Sequence, residues 1–162
     1  MSDDNLILYE EEIEKIDAHL SKLIKGAEAK CALLVDKDGH LITRKGFTHS
    51  LDTTALGALL AGSFASTKEI AKLVGEPEFS VLFHQGKKDH IHMSIVGERS
   101  ILVVIFDDRT TIGMVRLYSK ETAQDLAAVF EELKTQTRSG ENSIPNDFAD
   151  VAGDRLDDIF QD

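Results

Sequence analysis

Residues 51–75 have the sequence LDTTALGALLAGSFASTKEIAKLVG, which is typical of one long helix beginning after cap residues at 52–54. At the helical repeat its side chains divide into a side of larger residues and an opposite side of small ones. The larger residues are Leu56, Leu59, Leu60, Ser63, Thr67, Ile70 and Val74. The small residues are Gly57, Ala58, Ala61, Gly62 and Ala65, followed on the same side by Lys68, Glu69 and Lys72. Because small residues allow a close approach, we expect this side to dock another protein chain; the alternative is a helix buried on both sides within its own domain.

The segments around this helix predict a helix and a hairpin before it, and three strands and a helix after it. The predicted helices are 9–25 and 112–136, and the predicted strands are 30–35, 40–45, 78–85, 90–96 and 100–106. The last strand is apolar at consecutive positions, so both of its faces should be covered. We therefore predict an α+β fold, in which a five-stranded antiparallel sheet over residues 6–136 is flanked by helices on both faces.

Composition excludes several classes of protein. The chain of 162 residues has 18 basic and 29 acidic side chains, a net charge of −11, which argues against nucleic acid and anionic membranes as partners. It has no apolar run long enough to span a membrane, and its acidic start does not resemble a signal peptide. Cys31 is the single cysteine, so a disulfide framework is excluded. These features predict a cytoplasmic protein.

Residues 137–162 differ in composition from the rest of the chain and predict a flexible acidic tail. Within it, Leu156, Ile159 and Phe160 share one side of a short predicted helical turn at 154–161. This spacing is typical of a docking segment behind a tether, although apolar residues also occur by chance near chain ends.

The sequence offers little chemistry of its own. His84, His90 and His92 fall on one predicted hairpin and could bind zinc, but no thiol or carboxylate completes the set at a fixed spacing. Cys31 lies within a strand, and no phosphate-binding glycine loop or nucleophile motif occurs. We therefore expect no cofactor, no metal and no catalytic residue, and a function that depends on contact with another protein.

Three strings in this chain resemble the Roadblock (dynein light chain) family. They are LLVDKDGHLI at 33–42, LDTTAL at 51–56 with Ala61-Gly62, and ILVVIFDDRTTIGMVRL at 101–117. The strings LILYEE at 6–11 and LVGEPEF at 73–79 bring the chain close to bacterial members that pair with a Ras-like small GTPase. The resemblance covers residues 6–135 and implies the element order α-β-β-α-β-β-β-α.

The resemblance implies a homodimer in which strand 78–85 pairs with its two-fold copy, and a role in activating a bacterial Ras-like small GTPase. It implies that the activator holds the GTPase's own catalytic groups in place, with the tail aiding nucleotide exchange, and it suggests a role in polarity or surface motility at a cell pole. The expected GTPase-binding residues are Ala58, Ala61, Gly62, Ala65, Glu69, Lys72, Leu156, Ile159 and Phe160. The expected dimer-interface residues are Phe79, Val81, Phe83, Ala61 and Ala65.

Other functions stay open from sequence alone. A Roadblock dimer could be a scaffold that recruits a GTPase or a polarity or motility complex without accelerating hydrolysis. A small-molecule sensor or an enzyme on the same fold is a further alternative. Arg44, Arg99, Arg109 and Arg116 are candidates for an inserted arginine by residue type alone.

Overall fold

The apolar run at residues 100–106 forms the central strand of the sheet. The computed structural model describes residues 10–142, with side chains described as far as residue 136. Its elements are α1 (Glu10–Ala27), β1 (Cys31–Asp36), β2 (Leu41–Gly46), α2 (Thr53–Leu73), β3 (Val81–Gln85), β4 (His90–Val96), β5 (Ser100–Phe106) and α3 (Ile112–Asn142). The strands pair in the order β2-β1-β5-β4-β3, and every pairing is antiparallel. The predicted α+β fold and its element order are confirmed.

The two faces of the sheet carry different side chains because residues alternate along each strand. One face presents Leu33, Met93 and Val103, which pack with Leu60 and Phe64 of α2 in one apolar core. The opposite face carries the even-numbered residues of β1, β4 and β5. There, α1 is tied to β2 by the Thr43 hydroxyl, which donates to Asp17 at 2.6 Å.

Gly26 allows α1 and α3 to approach each other closely. A Cβ atom at this position would lie 2.5 Å from the ring of Tyr118 on α3, so a larger residue would push the helices apart. The sequence predicted the end of the helix before Gly26, whereas α1 continues to Ala27 and Glu28 takes the left-handed conformation with φ 56°. The glycine is used for helix packing instead of helix termination.

Two predicted boundaries differ from the structure. Strand β3 begins at Val81 and not at residue 78, although the Ser80 carbonyl still accepts a hydrogen bond from the amide of Ile95. Helix α3 continues through Asn142 and does not end at residue 136 as predicted. Residues such as Arg138 and Glu141 have good helix propensity, and extending an existing helix is much easier than starting one.

The chain divides into two units. One comprises Ile7–Val129 and holds the sheet, α1, α2 and the first part of α3. The other contains the second part of α3, residues 130–142. No helix within residues 10–142 is long and apolar enough to cross a membrane.

Candidate protein-binding surface

Helix α2 is fixed on the sheet by its cap and by two glycines. The carboxylate of Asp52 accepts the amide hydrogen of Ala55 at 3.1 Å and caps the helix. A Cβ atom on Gly57 would lie 3.0 Å from the carbonyl oxygen of Gly39, and one on Gly39 would lie 2.9 Å from Cα of Ala58. The start of α2 therefore rests directly on the β1–β2 turn.

The buried side of α2 is rotated from the side that the sequence predicted. It consists of Thr53, Gly57, Leu60, Ala61, Phe64, Thr67 and Ala71. Two of the predicted outer residues, Gly57 and Ala61, thus face the protein's own core, with Ala61 only 6% exposed. The prediction that Ala61 lies on an exposed stripe is wrong, because α2 packs on the sheet through the side that carries Leu60, Ala61 and Phe64.

Three of the small residues do lie outside. Ala58, Gly62 and Ala65 are exposed, and a Cβ atom on Gly62 would have no neighbour within 4 Å. Glu69 and Lys72 are exposed on the same helix and form an ion pair of 3.1 Å. These five residues form a surface with short side chains at one end and a charged pair at the other.

Large apolar residues are exposed on the remaining part of α2. Leu59 is 71% exposed, Ile70 53% and Val74, just after the helix, 63%. All three belong to the side of larger residues that the sequence analysis set opposite the docking side. Exposed apolar residues grouped in this way usually mark a contact with another molecule, so this flank is a second candidate contact surface.

Strand β3 is an open edge of the sheet. Because Ile95 donates to Ser80, alternation along an antiparallel pair directs the backbone groups of Val81, Phe83 and Gln85 away from β4. The Phe83 ring stacks on Phe106 at 6.1 Å, which holds the strand in place. Such an edge can pair with another strand.

The sheet is less well covered at this edge than at its centre. Leu82, Ile91 and Ile95 face the same side as α2 and are only partly buried, whereas Met93 and Val103 are completely buried. Phe79, which precedes β3, is also partly buried. Apolar area therefore remains available at this edge of the sheet.

An open groove lies on the other side of α2. It has a volume of about 600 Å³ and extends between the helix and the β1–β2 and β4–β5 turns. Its lining includes apolar Phe64 and Ile101 as well as Ala65 from the exposed small surface. The two turns are joined by a hydrogen bond of 2.8 Å from the Lys37 amide to the Arg99 carbonyl.

Two of the candidate arginines are engaged within the chain. Arg44 donates to the hydroxyl of Thr53 at 2.8 Å, and Arg109 forms an ion pair with Asp107 at 3.0 Å. The hydrogen bonds from Arg109 are the largest cause of a lowered pKa at Asp107. Arg99 lies in the β4–β5 turn, and Arg116 is exposed on α3.

The other titratable candidates have local roles. His90 Nδ1 accepts a hydrogen bond of 3.2 Å from the Gly86 amide, so the ring proton is on Nε2. His90 Nε2 donates a hydrogen bond of 3.2 Å to the carboxylate of Asp108. Burial raises the pKa of the Cys31 thiol to about 11, so this side chain stays protonated near neutral pH. Among the residues described, no three His, Cys, Asp or Glu side chains come together to hold a metal ion.

The sequence model of the Roadblock/LC7 domain matches residues 15–106. The chain belongs to the Roadblock/LC7 family. Among solved structures it is similar to Myxococcus xanthus MglB, with 50% identity and a TM-score of 0.74 over 79% of this chain and 96% of that one. It is also similar to the gliding protein MglB of Thermus thermophilus, with 30% identity and a TM-score of 0.75 over 81% and 99% of the two chains. A structure of MglB in a tetrameric arrangement has 30% identity and a TM-score of 0.76, with 82% and 99% covered.

The predicted Roadblock contact residues fall into four groups; one is Ala61 alone, on the buried side of α2, and Phe79 precedes the β3 group. Ala58, Gly62, Ala65, Glu69 and Lys72 lie together on the exposed side of α2, and Val81 and Phe83 lie on the β3 edge. Leu156, Ile159 and Phe160 lie outside the described residues. The flank of Leu59, Ile70 and Val74 was not predicted as a contact surface, although helical spacing groups these residues on one side of α2.

Proposed function

We propose that this Roadblock protein is a homodimeric regulator that binds and activates a bacterial Ras-like small GTPase of the MglA type. The proposal rests on two observations, the exposed and partly apolar surface of α2 and the open sheet edge at β3, in a chain 50% identical to an MglB. The resemblance to MglB connects this surface to a GTPase and extends the proposal to cell polarity or gliding motility, at a cell pole.

The homodimer uses β3 and the apolar flank of α2. Pairing of β3 with its two-fold copy satisfies the outward backbone groups of Val81, Phe83 and Gln85. In the proposed dimer Leu59 and Ile70, which are exposed in one copy, contact the partner copy, and the partly buried residues of β3 and β4 are covered. Burial of these side chains supplies the apolar contact that a stable dimer needs.

The GTPase binds the small-residue surface of α2. Ala58, Gly62 and Ala65 allow a close approach, and Glu69 and Lys72 supply charges at the periphery. Ala61 is buried in the single chain, and it lines the groove beside Ala65. The groove next to Ala65 enlarges the area over which a partner can make contact.

Activation does not require an inserted arginine from this chain. Arg44 and Arg109 are already engaged with Thr53 and Asp107, which supports a mechanism based on differential contact. In such a mechanism the activator binds the catalytic conformation of the GTPase more tightly than its other conformations and so raises its population. The residues that act on GTP then belong to the GTPase.

Mixing the full chain with an MglA-type GTPase from the same organism tests the proposal. We expect single-turnover GTP hydrolysis to accelerate by about tenfold or more, equivalent to ~1.4 kcal/mol of transition-state stabilisation. Measuring binding in parallel distinguishes a scaffold, because a scaffold would bind the GTP-loaded protein and leave its hydrolysis rate unchanged. Failure to bind would contradict both functions.

The tail has a separable role in the proposal. Residues 143–162 contain six acidic side chains and one basic one, 1 − 6 = −5, with Leu156, Ile159 and Phe160 as apolar contacts. We expect their deletion to leave the melting temperature nearly unchanged and to alter nucleotide release from the GTPase. An acidic segment predicts a basic groove on the GTPase and an affinity that falls as salt rises.

Nucleotide release should be compared for the full chain, the truncated chain and the Leu156→Ala/Phe160→Ala variant. The double substitution retains the charges and removes the apolar contacts, so it separates the two contributions. Equal release rates for all three proteins would show that the tail has no part in exchange.

A further inference from the structure

Three buried polar side chains lie on the face of the molecule that carries α1 and α3. His92 and Ser94 belong to β4, and Ser119 belongs to α3; each is at least nine-tenths buried. Neither ring nitrogen of His92 and neither serine hydroxyl has a hydrogen-bond partner among the residues that the structure describes. This contrasts with the face under α2, whose buried residues from β1, β4 and β5 are apolar or cysteine.

A buried polar group without a partner lowers stability, since it has lost its hydrogen bonds with water. The cost is largest for an imidazole that gains a proton, because a charge must then remain in a nonpolar environment. His92 is only 1% exposed, and the neighbouring strands place Val104 and Phe83 beside it, neither of which can compensate a charge.

The charged group that acts on His92 has the same sign as a protonated imidazole. This group is Arg116, on the second turn of α3. On β4 the nearest titratable side chain on the same face as His92 is His90. His90 is directed to the Gly86 amide and to Asp108, and no hydrogen bond joins it to His92. Burial, followed by the charge of Arg116, lowers the pKa of His92 below its usual value of 6.5.

We propose that His92 is a proton-sensitive contact that keeps the first turns of α3 packed on β4 while its ring is neutral and releases them when it is charged. Release lets water reach the imidazole and increases its distance from Arg116. Ser94 and Ser119 assist the opening, because both gain water as partners when the helix moves. In this proposal α3 covers the sheet and also responds to pH.

The direction of the pH effect follows from the two states. With α3 released, His92 regains a pKa near 6.5, so the open state binds the proton more readily than the packed state. The packed state is therefore fully favoured above about pH 6.5 and loses stability as the pH falls from there toward the lowered pKa. For one proton, opening increases by at most about tenfold between about pH 7.5 and about pH 5.5.

Amide hydrogen exchange on the full chain at these two pH values tests the proposal, after correction for intrinsic exchange rates. We expect exchange in the first three turns of α3 to increase by up to about tenfold at the lower pH, while α2 serves as an internal reference. His92→Leu should abolish the increase and leave stability at neutral pH equal or higher, since the unpartnered ring nitrogens are removed. His84→Gln removes an exposed histidine and should retain the increase.

Direct titration of the His92 ring by nuclear magnetic resonance makes the test independent of any variant. A ring that titrates at or above pH 6.5 while α3 stays protected would overturn the proposal. The same conclusion would follow if α3 exchanged equally at both pH values in the unaltered chain, or if His92→Leu kept the full increase.

Discussion

Replacing Ala65 with arginine is expected to abolish binding of the GTPase and, with it, any acceleration of GTP hydrolysis. Ala65 is exposed on α2 and borders the groove, so a guanidinium at this position would occupy the space that a partner backbone needs. It would also add a positive charge near Lys68 and Lys72, in the centre of the proposed contact. A charge left without a partner in an interface costs about 2–5 kcal/mol, which weakens binding roughly 30-fold to several thousand-fold.

The fold should tolerate this substitution, because Ala65 does not lie on the buried side of α2. Titration of the labelled GTPase with each protein measures the affinity, and circular dichroism checks the fold. Ala128→Arg is the matched control, since it places the same residue at another exposed helical alanine, on α3. Loss of binding in both variants would indicate a general effect of charge, and an unfolded Ala65→Arg chain would show that the position is internal.

The element order could be predicted because it depends on local patterns. The consecutive apolar residues of β5 have no polar face, which is typical of a central strand, and the Asp38-Gly39 pair supplies the positive φ of a tight hairpin. The structure contains both the central strand and the hairpin, because tertiary packing favours the same local conformations as the sequence. The start of β3 and the end of α3 were less accurate, since strand pairing and helix extension depend on neighbours outside each segment.

The side of α2 that packs on the sheet could not be predicted in the same way as the element order, for a physical reason. A helix with one polar and one apolar face has only one way to pack, whereas α2 is apolar or small almost all round. Two sides of α2 could have packed against the sheet. One carries Leu59 and Ile70, and the other, which is the side observed, carries Leu60, Ala61 and Phe64. The choice depends on the contact of Gly57 with the β1–β2 turn, which is distant in sequence.

The same ambiguity carries information about function. A helix that has more apolar surface than its own domain can cover must bury the remainder elsewhere or leave it in water. Here the remainder is Leu59, Ile70 and Val74. We propose that this flank and the site residues predicted on the β3 edge serve one interface between two copies.

Substituting Leu59 and Ile70 together with aspartate is expected to convert the dimer into a monomer. Each fully buried leucine or isoleucine contributes about 1.5–3 kcal/mol, and the two-fold axis doubles both contributions in the dimer. Leu59 is 71% and Ile70 53% exposed in one copy, so the area that the dimer can bury corresponds to about 2.5 such side chains or ~4–7 kcal/mol, and the replacement should weaken dimerisation by about several hundredfold or more. Light scattering after size exclusion should show a mass near 17.9 kDa in place of twice that value.

The monomer should keep its fold but lose solubility, because the β3 edge and the partly buried Leu82, Ile91 and Ile95 stay uncovered. Leu117→Asp is the matched control. Leu117 is 61% exposed on α3 and Leu59 is 71% exposed on α2, so aspartate replaces a leucine of similar exposure at both positions. The control should remain a dimer because α3 takes no part in the proposed contact. A mass of 17.9 kDa for the unaltered chain over a wide concentration range would rule out the homodimer, and a dimer that survives both aspartates would place the interface away from this flank.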